Sequence, residues 1–182
     1  MRRLIIDTET TGLSPRFNKV LTVGLLLVDA KKSKLQILDQ NHIFIKHDRY
    51  NITKAAMIVN KIDLEQHNLH AVPPTDACNQ INSFIEKNIL HQAPLVGHNI
   101  HFDKGFLSAL FEKADMSSKF CCESEDTMRI WRNHQKLGNV PSHLRSNLQT
   151  VADFFKIDYT KSHDALADCH ITAKVYHKML RI

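Results

Sequence analysis

The apolar run Leu4-Ile5-Ile6 gives way without transition to Asp7-Thr8-Glu9-Thr10-Thr11-Gly12. Three aliphatic residues in succession read as a buried strand, and the polar segment behind them reads as a turn. Successive strand residues point to opposite faces, so Asp7 and Glu9 project the same way from the strand's end. Two like charges held that close need a cation. Solvation at a strand end explains an isolated acid-x-acid pair equally well. The apolar run argues otherwise here, because it sets both acids at the edge of a core, where unpaired charge is costly.

Two aliphatic and β-branched stretches follow, Val20 to Val28 and Leu35 to Ile45, separated by a polar segment at 29–34. With the first strand they predict a three-stranded antiparallel meander. After Pro73-Pro74, Thr75 is placed to cap a helix with Ala77, Ile81, Phe84 and Ile85 on one side. A short strand at Leu95-Val96 precedes a second helix carrying Phe106, Leu107, Leu110 and Phe111. Further helical patterns cover about 127–135, 148–156 and 164–180. Strands first and alternating elements afterwards predict an α/β fold, a mixed sheet with helices on its faces. At 182 residues, with 43% hydrophobic content, only five Pro and five Gly and no fixed-period repeat, the chain is expected to form one domain over 1–182.

Several function classes are disfavoured. The N-terminal apolar run is too short for a signal peptide or a membrane helix, so a cytoplasmic protein without a membrane partner is expected. The four cysteines, Cys78, Cys121, Cys122 and Cys169, lack a C-x-x-C spacing, so reduced thiols are expected and thiolate-bound zinc is not. A net charge of +5 and a pI near 9.0 favour a polyanionic partner. The twelve histidines add to that charge only below neutrality.

Two later segments carry acids. Gly97-His98-Asn99-Ile100-His101-Phe102-Asp103 crosses from strand to helix, where open α/β sheets place ligand sites. Asp103 is equally at home as a first-turn acid facing the helix dipole. His98 and His101 are a weak zinc pair without nearby cysteines. Ser162-His163-Asp164-Ala165-Leu166-Ala167-Asp168 begins the last helix. Asp164 and Asp168 are four apart and share a helix face, so spacing alone does not say which one works.

Together the three segments resemble the DEDDh subgroup of the DnaQ-like exonuclease superfamily, which includes the proofreading epsilon subunit of bacterial replicative polymerase. Asp7 to Leu13 matches the first motif, His98 to Asp103 the second, and His163 to Asp168 the H-x-A-x-x-D of the third, in the family's order and over nearly the whole chain. Asp126-Thr127-Met128 and Asn147-Leu148 are similar to the segments between the second and third motifs. The chain departs from epsilon at Thr22-Val23-Gly24, where an acid often precedes an apolar-Gly pair, and at Asn60, near a usual histidine. It also stops soon after the third motif, without epsilon's polymerase-tethering extension, so a polymerase partner is left open.

The resemblance implies a ribonuclease H-like mixed sheet of five strands flanked by helices. It also implies a 3′→5′ exonuclease that releases 5′-mononucleotides from single-stranded or frayed DNA. Asp7, Glu9, Asp103 and Asp168 become the metal ligands, and Asp164 falls at a free position of the pattern. His163 becomes the general base, a role suited to a side chain type that ordinarily titrates near neutrality. Two Mg²⁺ or Mn²⁺ ions would activate the water and stabilise both reacting oxygens, and hard carboxylates favour these ions over zinc. Thr10, Thr11, Leu13, His98, Asn99 and Phe102 become the substrate contacts, with Leu13 and Phe102 flanking the terminal base. An RNA-directed exonuclease of the same superfamily is the nearest alternative, followed by a non-catalytic nucleic-acid-binding module.

Overall fold

The structure, a computed structural model, describes residues 1–160 and 163–182. Five strands, β1 (Arg2–Thr10), β2 (Val20–Lys31), β3 (Lys34–Phe44), β4 (Leu95–Gly97) and β5 (Ser124–Asp126), form one sheet in the order β3-β2-β1-β4-β5. The first three make the antiparallel meander, while β4 pairs in parallel with both β1 and β5. The carboxyl ends of β1, β4 and β5 therefore share one edge, the usual location of ligand sites in such sheets.

Leu4, Ile5 and Ile6 are buried because β1 is central and covered on both faces. Leu4 and Ile6 pack with Ile81 and Phe84 of α3 (Pro74–Lys87) and with Phe106 and Leu110 of α4 (Ile100–Lys113). Ile5 faces the other way, onto Cys169, Ala173 and Tyr176 of α7 (Ala165–Met179). Each such aliphatic side chain contributes roughly 1.5–3 kcal/mol by leaving water. A third cluster, built around Trp131, joins α5 (Thr127–Lys136) and α6 (Leu148–Phe154) to α7.

Several local expectations shift. Helix α3 begins one residue before Thr75, with Pro74 in its first turn, where a missing N–H costs nothing. Two seven-residue helices, α1 (Lys54–Asn60) and α2 (Leu64–His70), fill a stretch with no anticipated structure, and β5 is a strand of only three residues. Asp164 is the N-cap of α7 and not a member of its face: its carboxylate accepts from the Ala167 N–H at 2.9 Å.

Gly24 lies opposite Asp7 in the β1–β2 register, and the start of α7 rests on it. A Cβ at Gly24 would sit 2.4 Å from the Ala165 carbonyl oxygen and 2.8 Å from the Leu166 nitrogen, which is backbone that cannot swing aside. We therefore expect Gly24→Ala to destabilise the protein by about 1–3 kcal/mol, the usual range for overpacking. Urea unfolding measures it, and an unchanged midpoint would mean that α7 shifts without cost.

Candidate active site

Asp7 and Glu9 stand half-buried at the carboxyl end of β1, two residues apart on the strand face that meets α7. Thr8, on the opposite face, donates its hydroxyl to Asp103 Oδ1 at 2.8 Å. Asp103 is buried in the first turn of α4, so one face of the sheet delivers it to the strand end. The other face delivers Asp168 in the first turn of α7, also buried. The His163 N–H donates to Asp168 Oδ2 at 3.2 Å, while Asp168 Oδ1 is buried without a hydrogen-bond partner among the described residues.

His163 sits just ahead of the α7 N-cap with φ of 69°, and its ring meets Tyr159 edge-on at 6.4 Å. That left-handed conformation costs a non-glycine residue of order 1 kcal/mol. The bond to Asp168 and the ring contact hold it there. Ser162, part of the same motif, lies outside the described residues.

The electrostatics are those of crowded acids. Burial raises the Asp7 pKa well above the ordinary carboxylate range, and Asp103, Asp168 and Glu9 push it further. Burial, then Asp168, raises Glu9 to about 8. Burial lifts Asp103 to about 7 despite the opposing Thr8 hydroxyl, and lifts Asp168 to about 6 despite the His163 N–H. Such a cluster holds protons or binds cations. Ligand atoms of Glu9, His163 and Asp168 all lie within 4.8 Å of one another. With the unpartnered Asp168 oxygen among them, this grouping fits a divalent cation.

Beside Glu9 opens a cavity of about 590 Å³, lined by Leu13, Phe102 and the α1 residues Ala56, Val59 and Asn60. Leu13 is 81% exposed on one side of it, and Phe102 is propped 4.8 Å from Phe106. The α1 wall was not anticipated. The Asn60 amide donates to the Thr10 carbonyl at 3.0 Å and ties that wall to the end of β1.

Of the remaining expected contacts, Thr10 lines the same cavity and Asn99 is exposed, whereas Thr11 is buried and His98 half-buried. Thr10 donates to the Gly12 carbonyl at 2.7 Å, and Thr11 donates to the Asn51 carbonyl at 2.7 Å, so both hydroxyls brace the loop after β1. His98 uses both ring nitrogens, at 2.9 Å from Thr127 Oγ1 and 2.8 Å from the Ser146 carbonyl, and is therefore no metal ligand. Asn99 opens α4 with φ of 67°, and its N–H donates to Asp126 Oδ1 at 2.9 Å. Asp126 also caps α5 through the Met128 N–H, so one buried carboxylate fixes the start of two helices. Asp126 was marked in the sequence by its family-like segment and by its place ahead of a helical pattern, but neither signal gave its role in fixing two helix starts.

This is the ribonuclease H-like architecture, with acids gathered at the carboxyl edge of its parallel strands. A family model described as Exonuclease (RNase_T) matches residues 4–176, and the chain belongs to that family, the DnaQ-like exonucleases. The chain is 26% identical over 178 residues to the PolC-type DNA polymerase III of Caldanaerobacter subterraneus, covering 97% of this chain but only 11% of that relative. It is 27% identical to the DNA polymerase III epsilon subunit of Haemophilus influenzae, covering 98% of this chain and 67% of that one. The fold superposes on E. coli exonuclease I, solved in complex with a dT13 oligonucleotide, with a TM-score of 0.81 at 17% identity, over 97% of this chain and 40% of that one.

The raised carboxyl pKa values carry a stability consequence. In the unfolded chain these acids ionise near pH 4, whereas the folded protein keeps protons on them up to about pH 6–8. The folded state binds more protons in that window, so metal-free stability should fall as pH rises from about 4 to 8. Asp103→Asn should flatten this decline and raise Tm at pH 8, by about 2–4 °C for each kcal/mol of buried-charge cost removed. Calorimetry in chelator across that range tests it. A Tm indifferent to pH would mean that burial and crowding do not raise the pKa values of these acids as described.

Proposed function

We propose that residues 1–182 act as one 3′→5′ exonuclease unit that hydrolyses single-stranded or frayed DNA ends and releases 5′-mononucleotides. The observation that carries this reading is the convergence of four acids and His163 beside one apolar cleft, which suits a single terminal nucleotide. DNA is preferred to RNA on the strength of the relatives, which are named as DNA polymerases and include an exonuclease solved with an oligodeoxynucleotide.

Asp7, Glu9, Asp103 and Asp168 would hold two Mg²⁺ or Mn²⁺ ions, which supply charge neutralisation at the phosphate and support for the leaving oxygen. His163 takes a proton from the attacking water as its oxygen bonds to phosphorus. The bond to the 3′ oxygen of the preceding nucleotide breaks and that oxygen takes a proton from solvent, leaving a new 3′-hydroxyl and a free 5′-mononucleotide. Leu13 and Phe102 take the terminal base between them without reading its edge, so sequence discrimination is weak. Peeling an end from a duplex costs unstacking energy, which leaves blunt duplex a poor substrate.

Of the expected substrate contacts, His98 and Asn99 act as positioning residues, and Thr10 and Thr11 shape the loop that carries Leu13. The free thiols suit a reducing compartment, and no helix among the described residues is long and apolar enough to cross a membrane. We assign the activity to the cytoplasm. Among protein partners, a replicative polymerase is the one that the relatives' names support.

Matched 3′- and 5′-labelled DNA and RNA oligonucleotides test direction and sugar together. Chelator should stop hydrolysis and Mg²⁺ or Mn²⁺ should restore it, whereas full activity in excess chelator would sink the proposal. Asp168→Ala should lose several orders of magnitude in rate. Asp164→Ala should keep its rate and lose about 0.5–2 kcal/mol of stability, the cost of an N-cap. His163→Ala should lower kcat by about 10²–10⁴-fold with metal still bound. A dead Asp164→Ala beside an active Asp168→Ala would reverse the assignment of the two acids.

A further inference from the structure

A second recess, of about 610 Å³, opens away from the acids and is lined by Lys19, Lys46, Arg49 and Lys113 with Asp48 as its sole carboxylate. Among the described residues none of these four cations forms an ion pair. Lys19 and Lys113 lie side by side, and the Lys113 ammonium holds the Lys19 pKa below the ordinary lysine range. His47, on the same wall, has its pKa lowered by burial first and by these two lysines in addition. Like charges pressed together on a folded surface call for an anion, just as the crowded acids call for a cation.

The recess and the cleft adjoin on one side of the molecule. Between them lies a hollow of about 30 Å³, too small for a nucleotide, which shares Lys19, His47, Pro74 and Lys113 with the basic recess and the buried Asn18 with the cleft beside Glu9. A strand with its terminal base between Leu13 and Phe102 reaches the cations by crossing the surface at Ser14 and Pro15. An acidic peptide would match the charge, but nothing would connect it to the cleft.

We propose that the recess lined by Lys19, Lys46, Arg49 and Lys113 binds the backbone phosphates of the nucleic-acid strand upstream of the nucleotide being removed. This rests on the exonuclease reading of the cleft. The site takes phosphodiester oxyanions without reading bases, so it adds affinity for strands long enough to reach it and leaves sequence preference unchanged.

The test uses the whole chain and labelled dT2, dT4, dT8 and dT16 in chelator, where binding is read by anisotropy without cleavage. Wild-type affinity should rise with length and then level off. In the Lys19→Gln/Lys113→Gln double variant the longer oligonucleotides should bind roughly 10-fold more weakly. Losing two phosphate contacts should also shallow the slope of log affinity against log salt by about 1.4. Binding of dTMP is the control for the cleft, and Tm the control for folding. Unchanged affinity and salt slope in the double variant, with wild-type hydrolysis of dT16 intact, overturns the recess alone. Absence of hydrolysis in metal-loaded wild type overturns the cleft reading and the recess with it. Competition by polyglutamate as effective as by dT16, or by inorganic phosphate without any dependence on strand length, overturns the assignment to a strand.

Discussion

The burial of carboxylates crowded together at the end of a central strand is the constraint around which this protein is arranged. Asp7 cannot move away from the core, because Leu4 to Ile6 anchor β1 between helices on both faces. Asp103 and Asp168 are brought against it from opposite sides, each in the first turn of a helix. Helix starts suit this purpose, since their dipoles and free N–H groups offset part of the cost of concentrating negative charge. The remainder stays as raised pKa values, an energetic debt that a bound cation can offset.

The supporting bonds are as specific as the acids. Thr8 fixes Asp103, Asp126 fixes the starts of α4 and α5, and Asn60 ties α1 to the carbonyl of Thr10. Gly24 is the companion of Asp7 across the sheet, and its missing side chain lets α7 settle low enough for Asp168 to reach the strand end. A sequence segment set apart as a departure from epsilon, Thr22-Val23-Gly24, thus keeps the glycine that the geometry requires.

Much of this was legible in the chain. The long strands of the meander, α3, α4 and α7 announce themselves through periodicity, because each buries one continuous stripe. The acids at 7, 9 and 103 stand out by their place at strand ends and strand-to-helix transitions. Helices α1 and α2 did not, since seven residues hold too few repeats to show a period, although Asp63 followed by Gln66 is a capping signature that points to α2. Strand β5 is too short for alternation to register. Spacing could not separate Asp164 from Asp168, because a cap residue and a first-turn acid look alike until the helix start is known. Nor could it tell that the Thr10 and Thr11 hydroxyls turn inward, which depends on carbonyls at Gly12 and Asn51.

The start of α7 brings these strands of reasoning together. His163, Asp164 and Asp168 lie within six residues, and each does a different thing there: a ring held in a left-handed turn, a carboxylate capping the helix, a carboxylate aimed at the acids of β1. The cap lies 3.7 Å from the His42 ring on β3, so the turn meets the sheet at a second point besides Gly24. A base that must meet a water beside fixed acids needs its backbone set by the same element that sets one of those acids. Here one helix start sets both, and the helix is in turn seated by its packing against β1 and β2. Placement of His163, the proposed base, is thereby a property of the core, and on that proposal a change in the packing under α7 reaches the chemistry without touching any residue that performs it.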